Sequence, residues 1–279
     1  DRLPAPGGQF RDYILWLEGQ DAATEQAFWR EQLAPLDGAT RIAGCLPCRA
    51  PEQGHARHPL PLDSATEQRI RGFAQRHGLT LNTLVQAAWA LLLARLTGKR
   101  SLCFGATVAG RPTELAGSEQ MLGLFINSLP VAVQLPAEQP LGDWLAALQV
   151  QNLQLREHEH SPLHDIQRWV GSAGEALFDS LLVFENYPLG EALKQAERGE
   201  LRLGLPQSHE FTHYPMTLAV LPGSRLELLL AYDRAHFDAD GIAQVEALLR
   251  QALDQVCGDP ARTLGSLQLS SADEQARLA

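Results

Sequence analysis

Three short patterns in this 279-residue chain carry residue types that do chemistry. His209-Glu210-Phe211-Thr212-His213 has the form His-Glu-x-x-His. On a helix that spacing puts both imidazoles on one face for zinc and leaves the glutamate as general base. Here Pro206 and Pro215 bracket it. A residue before proline is pushed off helical geometry, so the stretch reads as a solvated loop. Cys45-Leu46-Pro47-Cys48 has redox or half-zinc spacing, yet no second cysteine pair and no strand–turn–helix setting accompany it. Cys103 and Cys257 read as core or surface thiols. His158, Glu159, His160 and His164 crowd together. A helix end explains them more plainly, because histidines suit the negative end of the helix dipole. No metal site is expected.

The elements that position these groups follow from start and stop signals. Residues 10–16 and 21–33 read as two helices, the first with apolar residues at 10, 13, 14 and 17, the second capped by Asp21. A short strand is expected near residues 55–62. Asp63 opens a helix that Gly78 stops, and residues 80–97 form a nearly all-apolar helix stopped by Gly98. Residues 140–158 form a long helix with Trp144, Leu145, Leu148, Leu153 and Leu155 on its core side, and residues 162–170 a shorter one. Residues 176–184 read as a strand, with a possible further strand at 200–205. Residues 216–221 and 225–232 make a hairpin around Pro222-Gly223. Residues 238–256 are the last helix, and residues 258–279 read as a polar, linker-like tail. Two helices feeding a strand make an α/β layered unit.

One stretch organises the rest. Residues 101–108 read as a strand, residues 109–112 break it, and residues 122–133 return to apolar character with Asn127 and Ser128 at their centre. The connection is about 14 residues, where hairpin loops run roughly 2–5. Loops of that length tend to be functional or disordered. Two polar side chains at the end of this one are candidates for lining a binding site.

Residues 104–131, FGATVAGRPTELAGSEQMLGLFINSLPV, resemble the floor-loop region of non-ribosomal peptide synthetase condensation domains, where members read much like FGxTVSGRPxELxGxExMxGLFINTLPV. The likeness extends along the chain. Phe10-Arg11-Asp12-Tyr13-Ile14-Leu15-Trp16 is similar to the family's Tyr-x-Asp-Tyr-x-x-Trp, with Phe10 in the first place. His160-Ser161-Pro162-Leu163, Ile166-Gln167-Arg168-Trp169, residues 177–188 (LFDSLLVFENYP), Tyr214-Pro215-Met216-Thr217-Leu218 and Tyr232-Asp233-Arg234 recur in the family's order. Epimerisation domains usually carry Phe-Asn-Tyr-Leu-Gly where this chain has Phe-Glu-Asn-Tyr-Pro, which favours condensation, of the subtype joining L-residues.

The resemblance implies an α/β fold, a chloramphenicol-acetyltransferase-like sandwich with a mixed sheet covered by helices. Residues 1–266 are expected to be the C-terminal lobe, with the floor loop at about 109–125. A latch is expected before or around residues 213–217, and a linker towards an adenylation domain at 267–279. The implied reaction joins a carrier-bound donor thioester to an acceptor amine. No cofactor is bound directly, and the phosphopantetheine arms of carrier domains are substrates. The implied partners are the N-terminal lobe, the donor and acceptor carrier domains and the adenylation domain. Gly110, Arg111, Pro112, Asn127 and Ser128 are the expected tunnel or floor-loop residues, with Arg111 pairing across the lobe interface to the Asp of the family's His-His-x-x-x-Asp-Gly signature. No His-His dipeptide occurs here, so that signature is expected upstream and the chain is expected to be inactive alone. His236-Phe237-Asp238-Ala239-Asp240-Gly241 imitates it with one histidine, but Asp238 fits a helix N-cap. A non-catalytic carrier-docking platform is the alternative, and an epimerisation-domain relative another.

Composition agrees with this class. A 45% hydrophobic, 20% charged chain builds a packed core. The net charge of −10 argues against a nucleic-acid partner. Four cysteines make no disulfide framework, so a reducing cytoplasm is the expected home. No apolar run reaches the roughly 18 residues of a membrane span. With Asp1 first and no apolar leader, the chain reads as a segment of something longer.

Overall fold

The structure is a computed structural model that describes residues 8–172, 174–185 and 211–268. Helix starts fall where short polar side chains take up free amides. Asp21 opens α2 (Ala22–Leu33), Asp63 opens α3 (Ser64–His77), and Thr80 opens α4 (Leu81–Thr97). Gly78 and Gly98 close α3 and α4 in left-handed conformation. Ahead of them α1 (Phe10–Glu18) begins with a reciprocal cap in which the Asp12 carboxylate accepts the Gln9 N–H at 3.0 Å.

Six strands form one sheet: β1 (His55–Leu60), β2 (Ser101–Val108), β3 (Asn127–Gln134), β4 (Ser180–Phe184), β5 (Met216–Pro222) and β6 (Leu226–Asp233). Their spatial order is β1-β6-β5-β4-β2-β3. β4 lies parallel to both β2 and β5, and the remaining pairs are antiparallel. Residues 102–106 of β2 are all buried, which requires cover on both faces. α4 packs on α5 (Leu141–Arg156), on β2 and on the last helix, α7 (Ala239–Val256); α2 packs on α6 (Leu163–Trp169), which touches β3. Residues 83–93 of α4 are all buried, as its all-round apolar pattern predicts. The β3 edge is closed by α5. Trp144 Nε1 donates to the Gln134 carbonyl at 2.9 Å and Gln151 Nε2 to the Ala132 carbonyl at 2.8 Å, and Pro130 removes a donor from the same strand.

Several expectations need correction. β3 begins at Asn127 because β2 ends opposite it at Val108; residues 122–126 belong to the loop. β4 begins at Ser180, and residues 177–178 only skirt the sheet, with a single bridge from Phe178 to Thr40. In α1 the buried position is Tyr13, while Ile14 faces out. Leu153 is 56% exposed and adds nothing to the core side of α5. Residues 258–266 of the expected tail are docked rather than linker-like. Leu264 is buried, the Gly265 N–H donates to Ala137 at 2.8 Å, and the Leu141 N–H donates to Arg262 at 2.8 Å. The possible strand at 200–205 lies outside the described residues. Among the described residues no single helix is long and apolar enough to cross a membrane.

Candidate functional site: the loop between β2 and β3 and its footing

The loop between β2 and β3 leaves the sheet after the last ladder pair, Val108–Asn127. Gly110 sits at φ +62°, and a Cβ there would lie 1.9 Å from the Phe125 carbonyl oxygen. Only glycine passes the returning chain so closely. The loop then folds on Arg111. Its Nη1 donates to the carbonyls of Ser118 and, at 3.1 Å, Met121, and its guanidinium carbon lies 4.1 Å from the Phe125 ring centre. The Ser118 hydroxyl donates to the Pro112 carbonyl at 2.8 Å, closing the turn.

The inner side of the loop is apolar and covered. Tyr13 of α1 packs with Met121 and Phe125 in a cluster separate from the main core, ringed by Phe10, Trp16, Leu17 and Leu115. The Phe10 and Phe125 rings meet edge to face at 5.2 Å. Gly123 lies so close to the Phe10 ring that a Cβ would approach it to 2.0 Å. The outer side is apolar and open: Leu122 is 92%, Leu124 75% and Ile126 50% exposed. Alternation along an extended segment produces both faces from one run of hydrophobic residues.

The footing of the loop is the turn between α5 and α6. Asn127 Nδ2 donates to the Glu159 carbonyl at 2.9 Å and to the Ser161 carbonyl at 2.8 Å, while its Oδ1 accepts the Ser128 N–H at 2.9 Å. Glu159 Oε2 accepts the Gly110 N–H at 3.0 Å. Burial raises the Glu159 carboxyl above its ordinary value, opposed by the Gly110 amide and by Arg156. Burial, then the Glu159 charge, pushes the Tyr13 phenol up.

Beneath this lies Glu25 of α2, itself buried. His158 Nδ1 lies 2.9 and 3.0 Å from its two oxygens, the Ser161 hydroxyl donates to it, and His160 Nε2 stands 3.6 Å away. Phe28 stacks on His158 at 3.6 Å, and Trp16 meets His160 edge-on at 5.1 Å. Burial depresses the His160 pKa, with Glu25 opposing. One of the crowded histidines, His158, is thus hydrogen-bonded to a glutamate 133 residues away in sequence, while His160 Nε2 faces the same carboxylate without a hydrogen bond. His164, on α6, stands 3.6 Å from Asp165 instead. Among the described residues no group of three or more His, Cys, Asp or Glu is arranged to hold a metal.

The five sequence-predicted residues therefore come together at one end of the sheet. Gly110, Arg111 and Pro112 form the loop's exit. Asn127 and Ser128 form its return, Ser128 lying opposite Thr107. Arg111 and Asn127 serve the loop's own architecture in this structure. Sequence reasoning passed over Glu25, and it weighed Glu159 only as a member of the histidine crowd, because the partners of both are remote in the chain.

The other motifs resolve into structure. Asp238 caps α7, accepting the Gly241 N–H at 2.9 Å and the Arg49 N–H at 2.6 Å. The Cys45 thiol donates to the Arg41 carbonyl at 3.2 Å, and burial, then Asp179, pushes its pKa up. That is the wrong direction for a reactive thiolate. Cys103 is raised by complete burial, and Cys257 is pushed up to about 11 by the same cause. Residues 211–215 are not helical, and His213 rests on Tyr214 at 4.2 Å. His209 and Glu210 lie outside the described residues, as do residues 186–188 of the Phe-Glu-Asn-Tyr-Pro stretch and the part of the expected latch before residue 211.

The family model of the condensation domain matches residues 1–279. The chain belongs to the condensation domains of non-ribosomal peptide synthetases. It is 39% identical over 270 residues to one of the subunits of linear gramicidin synthase from Brevibacillus parabrevis, covering 95% of this chain and 4% of that protein. A four-domain nonribosomal peptide synthetase bound to AMP and glycine shares the fold, with a TM-score of 0.75 at 18% identity over 92% of this chain and 21% of that one. The X-domain in complex with OxyB from teicoplanin biosynthesis gives a TM-score of 0.73 at 25% identity, over 97% of this chain and 63% of that domain's chain. This condensation-domain chain thus spans less than two thirds of each of these relatives. Its architecture is the expected chloramphenicol-acetyltransferase-like α/β fold, a mixed sheet with helices.

Proposed function

We propose that this chain is the C-terminal lobe of a condensation domain that forms a peptide bond between L-residues carried on two phosphopantetheine arms. Residues 267–279 would lead towards an adenylation domain. The observation that carries the reading is the floor loop. Its near-continuous family sequence folds back on Arg111 and presents Leu122, Leu124 and Ile126 outward at one end of the sheet. Such an apolar edge suits burial against a second lobe, with Gly110, Arg111, Pro112, Asn127 and Ser128 at the margin of the tunnel between the two. Arg111 would add a carboxylate of that lobe to the loop carbonyls it already holds.

The chemistry is acyl transfer. The acceptor's amine nitrogen attacks the donor thioester carbonyl carbon. A C–N bond forms, the C–S bond breaks, and the phosphopantetheine sulfur leaves with the proton the amine gives up. Two arms entering one tunnel make this step effectively unimolecular, so the domain's contribution is mainly positioning. The partner lobe's histidine would orient the amine or take up its proton. No further cofactor is needed.

The deciding experiment loads donor and acceptor carrier proteins and supplies this chain joined to its N-terminal lobe. Dipeptidyl thioester on the acceptor carrier is the expected product; none above background would refute the reading. The second reading, a carrier-docking platform without catalysis, draws on the X-domain, a relative of the same fold that is in complex with another protein. Sequence upstream of Asp1 separates the two: an intact His-His-x-x-x-Asp-Gly supports catalysis and a degenerate one supports docking.

A further inference from the structure

We propose that Glu159 is the positioning residue of the floor loop, one clasp that fastens both of the loop's feet to the turn between α5 and α6. Its side chain holds the outgoing foot, the Gly110 N–H, at 3.0 Å. Its main-chain carbonyl holds the returning foot, Asn127 Nδ2, at 2.9 Å. No other pair of bonds to a single residue spans the two feet among the described residues. For the effect on reaction rate, the proposal rests on the condensation reading above.

The geometry explains several choices of residue at once. The sheet ladder ends at Val108–Asn127, so beyond that pair nothing in the sheet aligns the two chains. Gly110 must be glycine to turn its N–H towards Glu159 while passing the Phe125 carbonyl. A half-buried carboxylate costs solvation unless it is hydrogen-bonded, and a charged acceptor gives the stronger bond. The clasp is in turn held on both sides. His158 and His160 flank Glu159 and both face Glu25, and Ser161 donates to the same carboxylate. The turn therefore cannot rotate without breaking a buried polar cluster that ties it to α2.

Displacement at the foot is carried outward. Arg111 follows Gly110 and organises the loop through the Ser118 and Met121 carbonyls. A shift at Gly110 therefore moves Arg111, and with it the outward face of Leu122, Leu124 and Ile126. Small misplacements in a site that works by positioning cost rate rather than binding. Glu159 touches no reacting atom in this scheme and acts through the loop.

The test compares Glu159→Ala and Glu159→Gln in the chain joined to its N-terminal lobe. Hydrogen exchange is read at Gly110 and across residues 111–124, together with kcat and KM for the loaded carriers. Loss of a charge-assisted bond should speed exchange at Gly110 about tenfold in the alanine variant. Glutamine keeps an acceptor oxygen and should restore most of the protection. The alanine variant should lose kcat by about tenfold with KM little changed, and glutamine should recover it. Unaltered exchange at Gly110 in the alanine variant would overturn the proposal. So would a glutamine variant as defective as alanine, or a change confined to KM. If the alanine variant does not fold, Asn127→Leu releases the other foot through a different residue. It must loosen residues 111–124 and reach back to Gly110; loosening confined to the β3 side overturns the clasp. The exchange readings assume nothing about the reaction. A wild-type domain that makes no dipeptide but shows the expected exchange pattern sinks the condensation reading and leaves the clasp standing.

Discussion

The guanidinium carbon of Arg111 lies 4.1 Å from the centre of the Phe125 ring, while Nη1 of the same group holds the Met121 carbonyl at 3.1 Å. One side chain thus joins the loop's outgoing strand to its return through two kinds of contact. Arg111→Ala removes both, and the chain should lose about 1–3 kcal/mol in denaturant unfolding. Arg111→Lys keeps the charge but not the planar fork, and should recover less than half of the loss. If Arg111 also pairs with a carboxylate of the partner lobe, the alanine variant must lose more in the two-lobed domain than in the chain alone. Equal losses in both would remove the inter-lobe pairing and leave only the loop role.

What the sequence made legible has a physical pattern. Asp21, Asp63, Thr80 and Asp238 each cap their own helix by accepting an amide within a few residues, so local spacing reveals that role, though not the remote Arg49 amide that Asp238 also accepts. The sheet order was not legible. β4 inserts between β2 and β5, and nothing local to residues 180–184 encodes which strands lie beside it. The footing was hidden for the same reason. Glu25 meets His158 and Ser161 across 133 and 136 residues, and from sequence Glu25 is one more acid in the first turn of α2. A crowd of histidines around one acid at 158–160 was visible, but it suggested a metal or a helix end rather than a clasp. Leu153 failed in the opposite way: an apolar residue on an apolar helix reads as core until packing shows which face is turned outward.

His160 should control part of the acid limb of stability. Burial holds its pKa below 6.5 in the fold. As pH falls below 6.5 the unfolded chain takes up a proton that the fold resists, so stability drops from there towards the folded pKa. Glu159 acts with the opposite sign. Its carboxyl is raised above 4.5, so its neutral form favours folding, and that contribution fades as pH rises through the raised value. Because the two windows adjoin, the useful quantity is a difference between proteins. His160→Gln should show a shallower fall in urea midpoint than the wild type as pH drops below 6.5. Identical slopes would mean that His160 does not titrate against folding.

Asp238 tests the one-histidine imitation of the family signature. Its carboxylate accepts amides from Gly241 and Arg49, and these hold its pKa below 3.8. The stability it supplies is present above 3.8 and lost as pH falls through the depressed value. Asp238→Ala should lower the melting temperature at neutral pH and leave dipeptide formation by the two-lobed domain unchanged at a temperature where both proteins are folded. Loss of product with an unchanged melt would return the segment to the catalytic machinery.

The last prediction concerns the exposed face of the floor loop. Leu122 and Leu124 point away from the Tyr13, Met121 and Phe125 cluster that anchors the loop to α1. Their replacement should therefore leave the chain folded, since neither contributes to its own core. Burying one leucine against a partner contributes about 1.5–3 kcal/mol, and placing an unpaired carboxylate there instead costs more. Leu122→Asp combined with Leu124→Asp should keep the wild-type melting temperature in this chain within about 2 °C, as exposed substitutions usually do. The same pair should abolish association with a separately expressed N-terminal lobe. Carrier-loaded assays then follow a strict order. The chain alone should make no dipeptide, because the implied histidine and one tunnel wall would come from the other lobe. The mixture of lobes should make it, and the double variant in the same mixture should not. Product from the chain alone would refute the lobe assignment outright. A double variant that associates and turns over normally would show that the partner lobe meets this one elsewhere, and that the open apolar face of the loop serves something other than the interface.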